Sequence, residues 1–398
     1  MQAKTGEVFP IAPISGASTE NSMNLICWYR PTTFARPYHR TFPAGNRREL
    51  LLLVCGVLLL TFTSIGGQRW VETGRSDGTL SDPHVGINYW TNEQPFTIHA
   101  TAHSNGCNRL GWFPDGFGLK DHSVFQFDGF YYIVSIKLPD EKGFAYGRSS
   151  DLCTWEDLGT IIGERTPGEW DEAFVWAPFV WEENGIFYMV YTGVKRGYTQ
   201  SIMLAATTNP ADPGSWQRVG MIFQPHHLGT LWKAVGWTDC RDATVLRMRG
   251  YYYMYYTARD AVGPIVGLAV SISPAGPWYD WGKILTLPQQ DAMAESPMVI
   301  YHAGAYYLIY HNTAHGEEYR IGLMATGPWS EAIPLDPGWA NEIWSGEDGL
   351  DYASYLQGHS RSYAVVIDRV LWDNSYKPPR LFLGAGLHLL FIPILVNQ

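Results

Sequence analysis

Four stretches of the chain alternate apolar and polar residues in the same way. Each contains a short β-rich run, a turn that ends in glycine, and a second run rich in tyrosine or phenylalanine. The stretches are "DHSVFQFDGFYYIVSI" at 121–136, "APFVWEENGIFYMVYTG" at 177–193, "DATVLRMRGYYYMYYTA" at 242–258 and "SPMVIYHAGAYYLIYHN" at 296–312. Period-two alternation around a glycine turn is typical of a β-hairpin. The sequence therefore predicts four hairpins of one kind.

The hairpins recur at a regular spacing, which indicates a repeated structural unit. Their turn glycines, Gly129, Gly185, Gly250 and Gly304, are separated by 56, 65 and 54 residues. Each hairpin is followed by a third β-rich run and a tryptophan-bearing turn, as in "FAYGRSSDLCTWEDLG". The unit is thus about four strands long, which is the length of a propeller blade. A weaker fifth unit starts in the stretch 357–372.

Closing these units into a ring removes the unpaired strand edges that an open array would leave. We therefore predict an all-β fold, a five-bladed β-propeller of four-stranded blades, in which a strand near 84–114 completes the last blade. The alternative is a β-sandwich whose hairpins resemble one another by chance, and four copies argue against it.

The N-terminal part of the chain has a different composition. In the stretch 47–67 two arginines precede an apolar run and small residues follow, which is the layout of a secretory signal peptide. The apolar run is short for a membrane span. We predict a secreted or periplasmic protein, and the alternative is a membrane anchor through residues 50–64. The predicted division is a 1–46 extension outside the fold, a 47–67 signal peptide or anchor, and a 68–398 propeller domain.

Composition narrows the classes of partner. Of the 398 residues, 46% are hydrophobic and 15% aromatic, and the net charge is −10 with no basic run, so a nucleic-acid partner is not expected. A membrane would be a partner only if the N-terminal segment stays uncleaved. Three cysteines follow residue 64, namely Cys107, Cys153 and Cys240, which allows one disulfide with a spare thiol, or none.

Acidic residues begin three of the predicted inner strands. In a propeller these strands line the central channel, so their first residues meet at one mouth. Asp121, Asp242 and Glu295 begin blades one, three and four; blade five offers His359, and blade two has no acid. Gathered carboxylates repel one another and lose water, which raises the pKa of at least one of them.

Sugar hydrolysis needs such a cluster, because one carboxyl must stay protonated as the acid while another is ionised. We therefore predict Asp121, Asp242 and Glu295 as catalytic residues. The aromatic side chains of Trp112, Trp176 and Trp237 are predicted to stack on sugar rings. An isolated aspartate beside a turn is more often a cap, so the prediction depends on the recurrence along the repeat.

Several pieces of the chain, in order, resemble glycoside hydrolase family 43, in the superfamily of arabinanases, β-xylosidases and invertase-like five-bladed propellers. These pieces are "KDHSVFQFDGFYYIV", "SSDLCTWEDLG", "VWAPFVWEENGIFYMVY", "RDATVLRMRGYYYMYY", "AESPMVIYHAGAYYLIY" and "QGHS", over about 120–360. The resemblance implies that Asp121 is the general base, that Asp242 tunes the acid and holds the sugar, and that Glu295 is the general acid. His359 matches an axial histidine that lies near a calcium ion or water in many members. No cofactor is required, and a structural calcium in the channel, bound indirectly through His359, is allowed.

The resemblance also implies an inverting enzyme that acts on arabinofuranosyl or xylosyl linkages of plant polysaccharides or oligosaccharides. There are departures from the family pattern, since Asp121 is followed by His122 rather than proline, and Asp242 by Ala243. "CRDAT", with Arg241 predicted to bind substrate, is similar to the Arg-Asp-Pro block of family 32, whose members are retaining β-fructosidases. Retaining enzymes have carboxyls about 5–5.5 Å apart and inverting ones roughly 6.5–9.5 Å. A carbohydrate-binding propeller without catalysis is a third alternative, because fold does not imply function.

Overall fold

The structure, a computed structural model, describes residues 109–336, 338–358 and 363–384. The predicted segments 1–46 and 47–67 and the residue His359 lie outside this part. Within it the chain forms antiparallel β-sheets and one short 3-10 turn at Pro213–Ser215. No helix in the described ranges is long and apolar enough to cross a membrane.

The strands are arranged as five blades in chain order, after a two-residue strand β1 (Gly111–Trp112). Blade one contains β2 (Gly118–Phe127), β3 (Phe130–Leu138), β4 (Phe144–Ser149) and β5 (Glu156–Ile161). Blade two contains β6 (Phe174–Glu183), β7 (Ile186–Lys195), β8 (Thr199–Thr207) and β9 (Gln217–Phe223). Blade three contains β10 (Cys240–Met248), β11 (Tyr251–Asp260), β12 (Gly263–Ser271) and β13 (Tyr279–Thr286). Blade four contains β14 (Ala294–His302), β15 (Ala305–Asn312), β16 (Gly316–Gly322) and β17 (Ile333–Pro334). Blade five contains β18 (Trp339–Ser345), β19 (Asp351–Gln357) and β20 (Ala364–Asp373), with β21 (Arg380–Leu383) and β1 both paired to β20.

This is the predicted five-bladed propeller. β1 completes blade five, with Gly111 opposite Val366 and Trp112 opposite Val365, so the predicted closing strand is confirmed for these two residues. The first strands of neighbouring blades contact one another and are therefore the innermost ones, and a cavity is lined by residues near their N-terminal ends, which we call the mouth of the channel.

The turn between the first two strands explains why the four hairpins look alike. Gly129 has φ 74° and the residue before it, Asp128, has φ 51°. Two consecutive residues with positive φ form a type I′ turn, whose twist matches that of the two strands of a hairpin. Glycine adopts a positive φ without a steric penalty. The same pair of positive angles occurs in the other three hairpins, at Asn184-Gly185, Arg249-Gly250 and Ala303-Gly304.

The core is divided into five clusters, each between two neighbouring blades. Fully buried tyrosines fill much of this space, and their hydroxyls have partners. Tyr256 donates to Asp280 at 2.9 Å and Tyr310 donates to Glu318 at 2.8 Å. A buried tyrosine contributes a large apolar area at little cost when its hydroxyl is bonded. The tyrosine-rich runs therefore hold the blades together, as the sequence suggested.

Blade five starts earlier than the predicted unit at 357–372. Its innermost strand is β18, and its second strand, β19, ends at Gln357, where the predicted unit begins. The repeat pattern failed here because β18 and β19 are joined through the loop 346–350 rather than by a two-residue glycine turn. The prediction that His359 lies at the channel concerns a residue outside the described ranges.

The described cysteines have different states. Cys153 is disulfide-bonded, and Cys240 is a free thiol buried in the core. Of the two expectations, one disulfide with a spare thiol therefore agrees with the structure, and Cys240 is the spare thiol.

Candidate active site

Every innermost strand has a β-bulge near its start, and one residue of each bulge has a left-handed backbone. The pairing register shifts at this point in all five blades. The residues concerned are Asp121 (φ 33°), Ala177 (φ 43°), Asp242 (φ 57°), Ser296 (φ 50°) and Ala340 (φ 55°). A bulge redirects side chains and is common beside active sites. Positive φ costs energy for these residue types, which indicates that the surrounding fold imposes it.

The bulges define two rings of residues around the channel. The second ring consists of the five left-handed residues. The first ring consists of the residues before them: Lys120, Trp176, Arg241, Glu295 and Trp339. Asp121 and Asp242 are equivalent members of the second ring, whereas Glu295 belongs to the first. The expectation of three acids at equivalent positions was therefore wrong by one residue for Glu295.

The two aspartates face one cavity on the propeller axis. The cavity is lined by Asp121, Asp242 and Ser296 of the second ring, and by His122, Asn341 and Glu342 farther along the inner strands, among other residues. Asp121 is 9% exposed and Asp242 is 6% exposed. Ring closure has thus brought together carboxyls that are more than 100 residues apart in the chain.

Arg241 connects Glu295 to this cluster. Its Nη2 donates to Glu295 Oε1 at 2.9 Å, and its Nε lies 3.6 Å from Asp242 Oδ2. Its Nη1 is also bonded to Asp239. Arg241 is 8% exposed, whereas the Glu295 side chain is 29% exposed. One buried guanidinium therefore contacts three carboxyl groups, and Glu295 is accessible to a ligand.

Asp242 is held in place by several further contacts. Its Oδ2 accepts hydrogen bonds from the Ser296 main-chain nitrogen at 3.2 Å and from Thr257 Oγ1 at 3.3 Å. Its own main-chain nitrogen donates to Thr192 Oγ1 at 3.0 Å. Burial raises the pKa of Asp242, although the charge of Arg241 opposes this. Such a carboxyl is fixed in orientation and is poorly placed to move during a reaction.

Asp121 has a pKa suited to proton transfer near neutrality. Burial of its carboxyl raises the pKa of Asp121 to about 7; the positive charge of Lys120 opposes this rise, and the charges of Asp242 and Glu295 add to it. Catalytic bases work best with a pKa near the operating pH. The environment of Asp121 therefore allows its carboxyl to exchange a proton near pH 7.

Lys120 is a charged member of the site that the sequence analysis did not select. Burial disfavours its positive charge, but Asp121, Glu141, Asp242 and Glu295 outweigh this and raise the pKa of Lys120. Its Nζ lies 5.9 Å from the ring centre of Trp176, whose indole nitrogen donates to Glu141 Oε2 at 2.7 Å. Its position directly before Asp121 is the feature of the sequence that could have identified Lys120 as part of the site.

Glu342 is a second residue that the sequence analysis missed. Ser123 Oγ donates to its Oε1 at 2.7 Å, and the Val124 main-chain nitrogen donates to its Oε2 at 2.8 Å. Burial raises the pKa of Glu342 to about 8, so this carboxyl is mostly neutral at pH 7. The prediction missed Glu342 because it did not recognise β18 as an inner strand.

The structure separates the predicted substrate-binding tryptophans. Trp176 lies in the first ring. Trp112, 3% exposed, is on the outermost strand of blade five and packs 6.1 Å from Trp155 and against Gly147. Trp112 is therefore a core residue rather than part of the mouth, which corrects that prediction. Trp237 is 58% exposed and lies 5.2 Å from Tyr198, in the segment just before β10.

The channel contains polar atoms without partners below the carboxyls. Neither ring nitrogen of His122 and neither side-chain atom of Asn341 has a hydrogen-bond partner within the described ranges. Burial lowers the pKa of His122 to about 3. The described residues do not provide three or more His, Cys, Asp or Glu side chains arranged to hold a metal ion. These donors by themselves do not fit a calcium site.

Comparisons with known proteins point to one family. Residues 117–235 match the sequence pattern described as "Glycosyl hydrolases family 43". The chain is 25% identical over 294 residues to a probable arabinan endo-1,5-α-L-arabinosidase C of Aspergillus flavus, covering 70% of this chain and 84% of that protein. It is 22% identical over 262 residues to an extracellular endo-α-(1→5)-L-arabinanase 1 of Bacillus subtilis, covering 58% and 76%.

Two further comparisons bear on fold and substrate. A thermostable family-43 glycoside hydrolase superposes with a TM-score of 0.55 at 21% identity, covering 70% of this chain and 95% of that one. A bifunctional fructosyltransferase of Allium cepa is 28% identical over 202 residues, which is 46% of this chain and 28% of that protein.

The carboxyl cluster and the relatives both indicate a glycoside hydrolase, which argues against the alternative of a carbohydrate-binding propeller without catalysis. The resemblance found in the sequence is confirmed, and this chain is a glycoside hydrolase similar to family 43.

Proposed function

We propose that this protein hydrolyses arabinofuranosyl or xylosyl linkages of plant-type polysaccharides or oligosaccharides by general acid and base catalysis, with inversion. The observation that carries the proposal is a pair of carboxyls from two blades in one cavity, with a third carboxyl from a third blade joined to them through an arginine. Asp121 and Asp242 line the cavity together, and Arg241 ties Glu295 to Asp242. Two carboxyls of different environment, with a third beside them, are what an acid–base glycosidase requires.

Asp121 takes the role of general base. Its pKa of about 7 allows it to be ionised at neutral pH and to accept a proton from a water molecule. Lys120 favours the ionised form, because its charge lies beside the carboxylate. The activated water then attacks the anomeric carbon from the side opposite to the leaving group.

Glu295 takes the role of general acid. It is the most exposed of the three carboxyls, so it can reach the glycosidic oxygen of a bound sugar. Arg241 binds its Oε1 and leaves Oε2 to carry the proton. As the bond breaks, that proton passes to the leaving oxygen and Glu295 becomes a carboxylate beside Arg241, which stabilises the new charge.

Asp242 takes the roles of orienting the sugar and supporting the acid. It is fixed by Thr257 and the Ser296 main chain and shares Arg241 with Glu295. Because Asp242 and Glu295 contact the same guanidinium, Asp242 helps to fix the orientation of the acid through Arg241.

An arabinan is the preferred substrate, because both arabinan-cleaving relatives align over more than half of the chain. The test is a screen of the purified protein against nitrophenyl arabinofuranoside, nitrophenyl xyloside, arabinan and inulin. The product anomer is read by NMR. We expect release from the arabinosyl substrates with an inverted anomer. A retained anomer would contradict the inverting mechanism, and sugar binding with no release from any substrate would contradict hydrolysis.

A second candidate is a retaining β-fructosidase. The similarity to the Allium cepa fructosyltransferase and the Arg241-Asp242 pair favour it. In that mechanism Asp121 would attack the sugar carbon directly. Inulin cleavage, with a glycosyl group trapped on Asp121, would establish this alternative over the first.

We also propose export, with residues 47–67 as the signal, which agrees with the extracellular name of the Bacillus subtilis relative. Calcium near His359 remains a proposal for a structural ion, and no catalytic step depends on it. Calcium titration of the intact protein, followed by thermal unfolding, tests it through a rise in the midpoint temperature.

A further inference from the structure

A group of aromatic rings continues outward from the active site along blade two. Phe174 lies 6.2 Å from Trp176 and 5.9 Å from Tyr198, with nearly parallel rings in both pairs. Tyr198 lies 5.2 Å from Trp237. We call Phe174, Trp176, Tyr198 and Trp237 the aromatic track. It leads from the first ring of the channel to solvent.

All four residues belong to the mouth face of the propeller. Phe174 and Trp176 are at the start of β6, and Tyr198 is in the turn between β7 and β8, opposite that start. Trp237 precedes β10, whose first residues also lie at the mouth. A sugar chain that leaves the carboxyl cluster toward blade two would therefore meet these rings.

The outer end of the track is exposed although it is strongly apolar. Tyr198 is 43% exposed and Trp237 is 58% exposed. Exposed aromatic residues grouped next to a site, with polar groups beside them, are typical of binding surfaces. Sugar rings have an apolar face that packs on such side chains, while their hydroxyls remain hydrated.

Tyr198 is held in a conformation that is unfavourable for it. Its φ of 66° follows a φ of 84° at Gly197, so a bulky residue occupies the left-handed position of a tight turn. Glycine or asparagine is the usual residue there. Strain of this kind is concentrated at functional sites, where a side chain must be placed in one direction.

The segment that carries Trp237 is fixed both to this turn and to the catalytic cluster. The Thr238 main-chain nitrogen donates to the Tyr198 oxygen at 3.3 Å, and Thr199 Oγ1 donates to the Gly236 oxygen at 2.9 Å. The Trp237 indole nitrogen donates to Asp239 Oδ1 at 3.2 Å, and Asp239 is paired with Arg241. The track is therefore placed rigidly with respect to Glu295.

We propose that Tyr198 and Trp237 form an outer sugar-binding subsite, which takes a glycosyl residue beyond the ones that flank the cleaved bond. This inference rests on the proposed function and specifies its substrate as a linear oligosaccharide or polysaccharide with several consecutive sugar units. Short glycosides reach the carboxyls but not the subsite. Longer chains gain contact with Trp237 and bind more tightly.

The test compares a long and a short substrate, arabinohexaose and nitrophenyl arabinofuranoside, through the ratio of their kcat/KM values. We expect Trp237→Ala to lower this ratio about tenfold, through KM for the long substrate. Trp237→Phe keeps a ring but loses the bond to Asp239, and it should stay within about threefold of the unchanged protein. The matched control is Trp281→Ala, at the far end of β13 from the mouth, where Trp281 is 57% exposed.

Tyr198→Gly separates binding from structure. Glycine relieves the strained backbone, so we expect the midpoint temperature of unfolding to stay equal or rise while the ratio falls. A ratio unchanged in both Trp237→Ala and Tyr198→Gly, with hydrolysis intact, would overturn the subsite alone. Failure of the unchanged protein to release sugar from any substrate would overturn the proposed function and this inference together.

Discussion

The guanidinium of Arg241 on blade three donates a 2.9 Å hydrogen bond to the carboxylate of Glu295 on blade four. The two residues are equivalent members of the first ring, so the contact follows directly from the packing of neighbouring blades. The same guanidinium lies close to Asp242 and binds Asp239. Arg241 is thus the one side chain of the described site that joins the predicted acid to its supporting aspartate.

The planar fork of Arg241 should not be replaceable by lysine, since an ammonium group cannot bond Asp239 and Glu295 in the same geometry. We expect Arg241→Lys to lower kcat/KM about 10²-fold, because a small displacement of a reacting group has costs of that order. The control is Arg148→Lys, which alters an ion pair with Glu156 on the surface of blade one. Steady-state kinetics with equal losses in the two variants would contradict a specific role for Arg241.

The activity should depend on pH through Asp121. A general base works only when ionised, so with a pKa of about 7 we expect kcat/KM to rise with pH and level off above 7. Asp121→Asn should lower activity about 10²–10⁴-fold on every substrate. If the residual kcat/KM of this variant fell at the same low pH (the acid limb of the profile), the fall would be due to the titration of another group.

The charge of Lys120 should set the pH at which kcat/KM falls on the acid side of the profile. Its positive charge lowers the pKa of Asp121 against the effect of burial, so removing the charge must raise this pKa. We expect Lys120→Met to move the acid limb of kcat/KM to higher pH, so that most of the loss occurs below pH 7 and little at pH 8. A limb at its original pH, measured over pH 5 to 9, would show that Lys120 does not act on Asp121.

Glu295→Gln should affect substrates according to their leaving groups. A poor leaving group, such as a sugar hydroxyl, needs the proton of the acid, whereas nitrophenolate departs as an anion. We therefore expect a loss of about 10³-fold or more on arabinan and a much smaller loss on nitrophenyl arabinofuranoside. Equal losses on both substrates would argue that Glu295 binds substrate rather than donating a proton.

Glu342 should make the protein less stable as pH rises. The folded pKa of about 8 lies above the ordinary value of 4.5, so the folded state favours the neutral carboxyl. Its stabilising contribution is complete below about pH 4.5 and is lost progressively as pH rises toward 8.

We expect the unfolding free energy in urea to fall more between pH 5 and pH 8 for the unchanged protein than for Glu342→Gln, by on the order of 1 kcal/mol or more. Glutamine is the matched neutral side chain, and it can bond to Ser123 and to the Val124 main chain. Asp121, whose pKa is also raised, contributes equally to both proteins. Parallel pH profiles for the two proteins would show that Glu342 is ionised in the folded state.

The blade hairpins could be predicted because their determinants are local. Alternation of apolar residues selects strands, and a glycine at positive φ, as at Gly129 and Gly304, selects the turn. Blade five lacks this short turn between β18 and β19, so its inner strand and Glu342 were missed. Trp112 was misplaced for a related reason, since composition shows that a tryptophan is present but not which strand of a blade carries it.

The sequence by itself determined the repeat, the five-bladed class of fold and the identity of the three carboxyls. The spacing to the turn glycines contains the offset of Glu295, which lies nine residues before Gly304, whereas Asp121 lies eight residues before Gly129. The sequence could not determine the bulge near the start of each inner strand, because no single residue type marks it. Only the tertiary structure decided that Arg241 meets Glu295 and that Lys120 adjusts Asp121. Charges interact through space over a few ångströms, and ring closure sets those distances between residues far apart in the chain.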